Sequence, residues 1–266
     1  EAVAVGEDVT LHEFHLVTDR PFLYFKPCLV EGERFLYAQG PNFLVTNAPE
    51  PLVVYPYFHV ESRSTISDLE DVACEEEGRC HGIRIFHPAG YEENVLRHYP
   101  VLYMQDGHNL FFPEESYAGE TWQVERTLKL LDEMKLIDKV IVVGIHPGDR
   151  MNDYTLPGYE SYGRFLVQRL KPLVDARCRT MPGPQHTGVM GPSLGGVVSL
   201  YLAWEYPEVF GKAACLSSTF TYQDDLMQRI AAEPRRDLQI YLDSGWPGDN
   251  FEVARAMFDL LLRCGY

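Results

Sequence analysis

No uninterrupted apolar run in the 266 residues approaches the roughly 20 needed to cross a bilayer as a helix. An N-terminal basic region leading into an apolar stretch is missing too, so no signal peptide is visible and a cytoplasmic location is favoured. A starting Met is also absent, so the N-terminus reads as processed or trimmed. Basic residues are scarce: 23 Lys and Arg stand against 39 Asp and Glu, a net charge of −16. Such a surface repels phosphate backbones and anionic headgroups, which argues against nucleic acid and membrane as partners. No CxxC pair and no His-rich spacing suggests a zinc site, and no flavin or nucleotide loop is present. No metal and no cofactor is therefore expected. Of the six cysteines, only Cys74 and Cys80 are close in sequence. A disulfide closing that small loop competes with the simpler reading of two ordinary thiols, which is favoured.

What is present divides by texture. Residues 1–75 are rich in Pro, aromatic and β-branched residues and show no helical periodicity. Stretches 9–14, 22–25, 35–37, 43–45 and 52–57 read as short antiparallel strands between turn formers, a small all-β module of sandwich-like character. The acidic stretch 61–78 reads as a linker or exposed loop. Residues 76–266 alternate strands and helices. Strands are expected at 82–86, 101–105, 140–145, 188–190, 213–216 and 238–242. Helices are expected at 122–137, 162–177 with a kink at Pro172, 194–205, and around 253–261. That alternation implies right-handed crossovers and a mainly parallel, doubly wound α/β sheet. Active groups in such a sheet gather beyond the carboxyl ends of the strands.

One of those ends carries Gly191-Pro192-Ser193-Leu194-Gly195-Gly196, a G-x-S-x-G turn between a strand and a helix. Glycines beside the serine permit close backbone approach, and the turn lifts the hydroxyl above the sheet at a helix N-terminus. The Leu194 N–H is then a candidate oxyanion donor. No Lys follows, so this is not a phosphate-binding loop.

Four stretches together resemble the putative-esterase family of α/β-hydrolases, which includes esterase D, enterochelin-esterase-like proteins, feruloyl and acetyl-xylan esterases and antigen 85-like proteins. They are residues 99–111 (YPVLYMQDGHNLF), residues 144–154 with Arg150 and Tyr154, the turn 191–196, and residues 206–211 (YPEVFG). The resemblance covers about residues 81–266. It implies a serine carboxylic-ester hydrolase working through an acyl-enzyme on Ser193, with a small-molecule or carbohydrate ester as partner. The alternatives are acyl transfer to a sugar or alcohol on the same fold, or a non-catalytic hydrolase-like binding protein. It further implies a second oxyanion donor around Gly107 and His108, with Asp106 organising that loop, and a triad acid at Asp249, with Asp243 as runner-up. Capping of the next helix would also explain Asp249. Trp122, His146, Ser217, Thr219, Phe220 and Trp246, in or near strand-end loops, are candidate substrate contacts, and each could equally be a core or surface residue. The N-terminal module would serve as a carbohydrate-binding-like unit, a lid or a dimer contact, and a homodimer is left open.

A serine at its ordinary pKa needs an adjacent base, usually His, oriented by an acid. Chain order in this fold places that His after the acid. The nine histidines end at His186. Three explanations stay open: a C-terminal strand, His loop and helix are cut from the sequence, the favoured one; another histidine, such as His108 or His146, substitutes; or the fold carries no catalysis.

Overall fold

The computed structural model describes residues 2–6, 9–15, 17–48, 50–76, 78–245 and 248–266. Six short strands open the chain: β1 (Ala2–Gly6), β2 (Val9–His12), β3 (Phe22–Phe25), β4 (Cys28–Glu31), β5 (Arg34–Tyr37) and β6 (Phe43–Thr46). They form three separate antiparallel pairs, β1 with β2, β3 with β6 and β4 with β5. The β4–β5 turn is led by Gly32 at φ 62°, a conformation that costs glycine little. Apolar side chains here stay near the surface, among them Tyr24, Phe35 and Tyr37. The strand expected at 52–57 forms no ladder. Pro51 and Pro56 have no N–H to give one, and the segment is held instead by contacts such as the Gln39 N–H to the Tyr57 carbonyl at 2.7 Å.

The stretch expected as a linker contributes two strands, β7 (Thr65–Ile66) and β8 (Glu70–Cys74), both antiparallel to β9 (Arg79–His87). Its acidic residues mask a period of two: Glu70, Asp71 and Ala73 are exposed while Val72 and Cys74 are buried. The sheet continues through β10 (Val101–Met104), β11 (Ile141–Ile145), β12 (Thr187–Pro192), β13 (Lys212–Leu216) and β14 (Gln239–Asp243). Its order is β14-β13-β12-β10-β11-β9-β7, with the last five strands of the chain parallel and β9 antiparallel to β11. The fold is thus α/β with a mainly parallel sheet and a small N-terminal β region. Among the described residues β14 has no outer neighbour.

Helices cover both faces. On one side α1 (Val124–Glu133) packs over Leu102, Met104 and Val142. The opposite face, with Val101, Tyr103, Ile141 and Val143, meets a continuous helix of different character. A short α2 (Arg150–Asp153) and a turn precede that helix, which begins as α3 (Gly158–Phe165), passes through a π-helical stretch at Leu166–Leu170 and continues as α4 (Lys171–Arg177). The expected kink at Pro172 takes this form: the wider π turn accommodates a residue with no N–H and a ring that crowds the carbonyl one turn back. Beyond it α5 (Leu194–Glu205) is buried on nearly every side, and α6 (Leu226–Ala232) and α7 (Phe251–Arg263) complete the layer. No helix among the described residues is long and apolar enough to cross a membrane.

The strand register decides the cysteine question. Cys80 pairs with Ala73 and Cys74 pairs with Arg79, so the two thiols fall on consecutive pairs and opposite faces. No disulfide joins the cysteines among the described residues, and Cys74 is buried while Cys80 is exposed. Burial pushes the Cys178 and Cys215 thiols up from their ordinary pKa, which keeps them as unreactive thiols at neutral pH. Brief alkylation of the native protein is therefore expected to modify Cys28 and Cys80, and Cys74, Cys178 and Cys215 only after unfolding. Peptide mass spectrometry reads this directly, and a Cys80 that labels only after reduction would contradict the register.

Candidate active site

Strand order reverses at β10, which lies between β11 and β12. The crevice beyond the carboxyl ends of β10 and β12 is therefore the topological switch point, where ligands bind in doubly wound sheets. The loops after these two strands carry Asp106, Gly107 and His108 on one side and Ser193 on the other.

Ser193 stands between β12 and α5 with φ 54° and ψ −122°. A non-glycine residue reaches that region only when its surroundings over-determine it. Here the Ser193 N–H donates to the Leu216 carbonyl at 2.8 Å, and the Ser193 carbonyl accepts from Gly196 at 3.1 Å and Thr219 at 3.4 Å. Close packing explains the glycines better than freedom of φ does. A Cβ on Gly191 would lie 2.7 Å from the Gly195 carbonyl oxygen, and one on Gly196 would lie 1.9 Å from Ser218 Oγ. Pro192 is tolerated because the Ser193 N–H serves the β13 side. The proline nitrogen then faces the β10 side, where the ladder ends at Met104 and Met190.

The facing turn is equally determined. Asp106 takes the left-handed conformation, φ 56° and ψ 43°, and is buried. Its carboxylate receives a two-pronged ion pair from Arg150, Nε to Oδ1 at 2.8 Å and Nη2 to Oδ2 at 2.9 Å. Its N–H donates to Tyr154 Oη at 3.0 Å. Hydrogen bonding to Asp106 raises the Arg150 pKa, and burial holds the Tyr154 phenol protonated. Gly107 packs against β11, where a Cβ would meet the Ile145 nitrogen at 2.5 Å. Just before Asp106, Gln105 is fully buried and accepts from Tyr162 Oη at 2.5 Å. Among the described residues no carbonyl accepts the N–H of Gly107, His108 or Leu194.

Both acid candidates converge on Ser217, the residue after the carbonyl that holds Ser193. Asp249 Oδ2 accepts from Ser217 Oγ at 2.7 Å and from the Gly245 N–H at 3.1 Å. Asp243 Oδ1 accepts the Ser217 N–H at 3.1 Å. Helix capping is not what Asp249 does: Asn250 is the N-cap of α7, and no side chain caps that end. Among the described residues no histidine is hydrogen-bonded to Ser193 or Asp249.

His146, at the end of β11, packs edge-on against His108 with ring centroids 5.8 Å apart. Burial lowers its pKa, so it is neutral at pH 7, and its Nε2 lies 3.9 Å from Glu115 Oε2. Glu115 is itself held below the usual carboxylate range by hydrogen bonds from Arg84. Trp122 is 40% exposed, and its backbone N–H donates to the Asn109 carbonyl at 2.8 Å, which ties it to the same loop. Trp246 lies outside the described residues. Sequence reasoning passes over the partners Asn109, Glu115 and Arg84, and offers Ser217 as a pocket residue but not as the partner of both acid candidates. Arg150 and Tyr154 were visible as motif letters without a role. No three His, Cys, Asp or Glu side chains among the described residues are placed to hold a metal ion.

A parallel sheet with a strained serine turn facing a buried Asp-Gly turn defines the chain as an α/β-hydrolase-type protein. The family description "Putative esterase" matches residues 75–264, and the chain belongs to that family. The uncharacterized protein YbbA of Bacillus subtilis (strain 168) is 26% identical over 140 residues, covering 47% of this chain and 52% of that protein. The chain spans about half the length of the curated relatives it matches. Among solved structures, a ferulic acid esterase superposes with TM-score 0.62 at 14% identity, covering 76% of this chain and 87% of that one. The enterobactin esterase FES from Shigella flexneri, in the presence of enterobactin, superposes with TM-score 0.61 at 19% identity, covering 74% and 50%. At these identities the two structures share the fold.

Proposed function

We propose that the protein is a serine carboxylic-ester hydrolase that forms an acyl-enzyme on Ser193. The observation that carries this reading is the Ser193 backbone at φ 54° at the start of α5, next in sequence to a Leu194 N–H that no carbonyl claims among the described residues. In this reading Ser193 Oγ attacks the ester carbonyl, and the oxyanion that forms is held by the Leu194 N–H and one donor of the facing turn. Asp249 orients the base. Trp122 and His146 border the acyl or alcohol group of a small-molecule ester. Solved relatives bearing the names of ferulic acid and enterobactin esterases support an ester with an aromatic part.

A fluorophosphonate probe tests the reading. The expected result is one covalent adduct at Ser193, absent in Ser193→Ala, together with release of free acid from p-nitrophenyl acetate. No adduct on a folded protein would point to a binding module, and ester product formed from an added alcohol would point to acyl transfer.

A further inference from the structure

Asp243 and Asp249 meet the same residue, and the way each meets it separates their roles. Ser217 follows β13 in the left-handed region, at φ 42°. Its N–H is shared between the Asp243 carbonyl and Asp243 Oδ1, each at 3.1 Å. Its carbonyl accepts from Asn250 Nδ2 at 2.7 Å. The main chain of Ser217 is thus gripped from the end of β14 and from the start of α7, which over-determines a conformation that serine seldom takes. The hydroxyl is left to act elsewhere, and it donates to Asp249 Oδ2 at 2.7 Å.

The two carboxylates end up differently engaged. Asp243 has both oxygens committed, Oδ1 to the Ser217 N–H and Oδ2 to the Tyr241 hydroxyl at 3.3 Å. Asp249 has one oxygen fixed: Oδ2 takes the Ser217 hydroxyl and the Gly245 N–H at 3.1 Å, and a Cβ on Gly245 would collide with it. Asp249 Oδ1 has no partner among the described residues. A carboxylate that orients a base needs this arrangement, one oxygen held and the other open. Strand register sets the whole group beside the nucleophile turn: Pro192 pairs with Leu216, and Leu216 pairs with Asp243. The Leu216 carbonyl accepts the Ser193 N–H at 2.8 Å. Two consecutive residues at the end of β13 therefore hold the nucleophile turn with one and the acid with the other.

We propose that Ser217 is the positioning residue of the acid: its hydroxyl fixes Asp249 Oδ2 and leaves Oδ1 for the base, while Asp243 acts behind it by holding the Ser217 N–H. This rests on the ester-hydrolase reading above. It assigns the acid to Asp249 and removes Asp243 from that role. A hydroxyl suits the task because a hydrogen bond to an ionised carboxylate is stronger than one between neutral groups.

A double-mutant cycle in p-nitrophenyl acetate hydrolysis tests it on the full chain. Ser217→Gly deletes the hydroxyl and suits the positive φ, so circular dichroism should show a folded protein with a Tm little changed. Its kcat should nonetheless fall by about 10- to 100-fold with little change in KM, the scale of one hydrogen bond to a charged group. A merely structural serine would lose rate only in step with stability. Asp249→Asn should lower kcat by about 10⁴-fold. In that background Ser217→Gly should change the rate by no more than about twofold, because the hydroxyl acts through Asp249. Fluorophosphonate labelling rates of Ser193 give the same cycle where turnover is slow. Asp243→Asn keeps an oxygen for the Ser217 N–H and should lose less than about tenfold. Additive losses in the cycle, or a greater loss in Asp243→Asn than in Asp249→Asn, would overturn the proposal. So would an undiminished kcat in Ser217→Gly while Ser193→Ala is inactive, an outcome that leaves the hydrolase reading standing. An undiminished rate in Ser193→Ala, or a fluorophosphonate adduct on Ser217 in place of Ser193, would remove that reading and this one together.

Discussion

Ser193→Ala is expected to lower kcat/KM for p-nitrophenyl acetate by about 10⁴- to 10⁶-fold, the scale seen when a hydrolase nucleophile is removed. The fold should survive the change. Alanine keeps the Cβ that already sits at φ 54°, and every bond holding the turn is made by main chain: Ser193 to Leu216, Gly196 to Ser193, Thr219 to Ser193. What disappears is the hydroxyl alone, so any loss of rate reports on chemistry. The N–H groups of Leu194, Gly107 and His108 remain, and they can leave a residual rate above that of water. Steady-state kinetics with a melting curve on the same sample checks both halves. A variant within tenfold of the parent would show that another hydroxyl attacks. Ser217 is the first to examine, because its Oγ already donates to Asp249 at 2.7 Å.

The ion pair beneath the facing turn is expected to respond unequally to loss of its two partners. The Asp106 side chain is 3% exposed and that of Arg150 is 36% exposed. Arg150→Met strands a carboxylate in the interior, a change that costs about 3–5 kcal/mol in buried pairs. Asp106→Asn leaves a guanidinium that can turn toward water, and asparagine accepts the left-handed conformation that Asp106 holds. Its cost should therefore be nearer about 1–2 kcal/mol, the range of a lost hydrogen bond. For a chain of this size the larger loss corresponds to a fall in Tm of roughly 10 °C. Both variants should lose esterase activity, since the conformation of Asp106 sets the direction of the Gly107 and His108 N–H groups. Urea unfolding of the two variants decides the matter: equal losses would mean that the pair behaves as a surface salt bridge.

The candidate site was legible in proportion to how local its causes are. The turn at Ser193 could be read from six consecutive residues, because its strand, its glycines and its helix are neighbours in the chain. The structure adds the reason the glycines stand there, which is contact with Gly195, Gln105 and Ser218 rather than positive φ. Asp106 was read as an organiser of its loop, but its counterion lies 44 residues away in sequence, on α2. The stretch 61–78 was misread because its charged residues face solvent on an edge strand. Composition then suggests a loop while the alternation of Val72 and Cys74 builds the sheet.

By itself the sequence determined the alternation of strands and helices, the parallel character of the sheet and the position of the serine turn. These follow from hydrophobic period and from turn chemistry, both of which act over a few residues. Only the tertiary structure decided what surrounds that turn: the Arg150–Asp106 pair, the meeting of Asp243 and Asp249 at Ser217, and the packing of His108 against His146. Each joins residues 26 or more apart in sequence, brought side by side by the order of the strands, which no local pattern records.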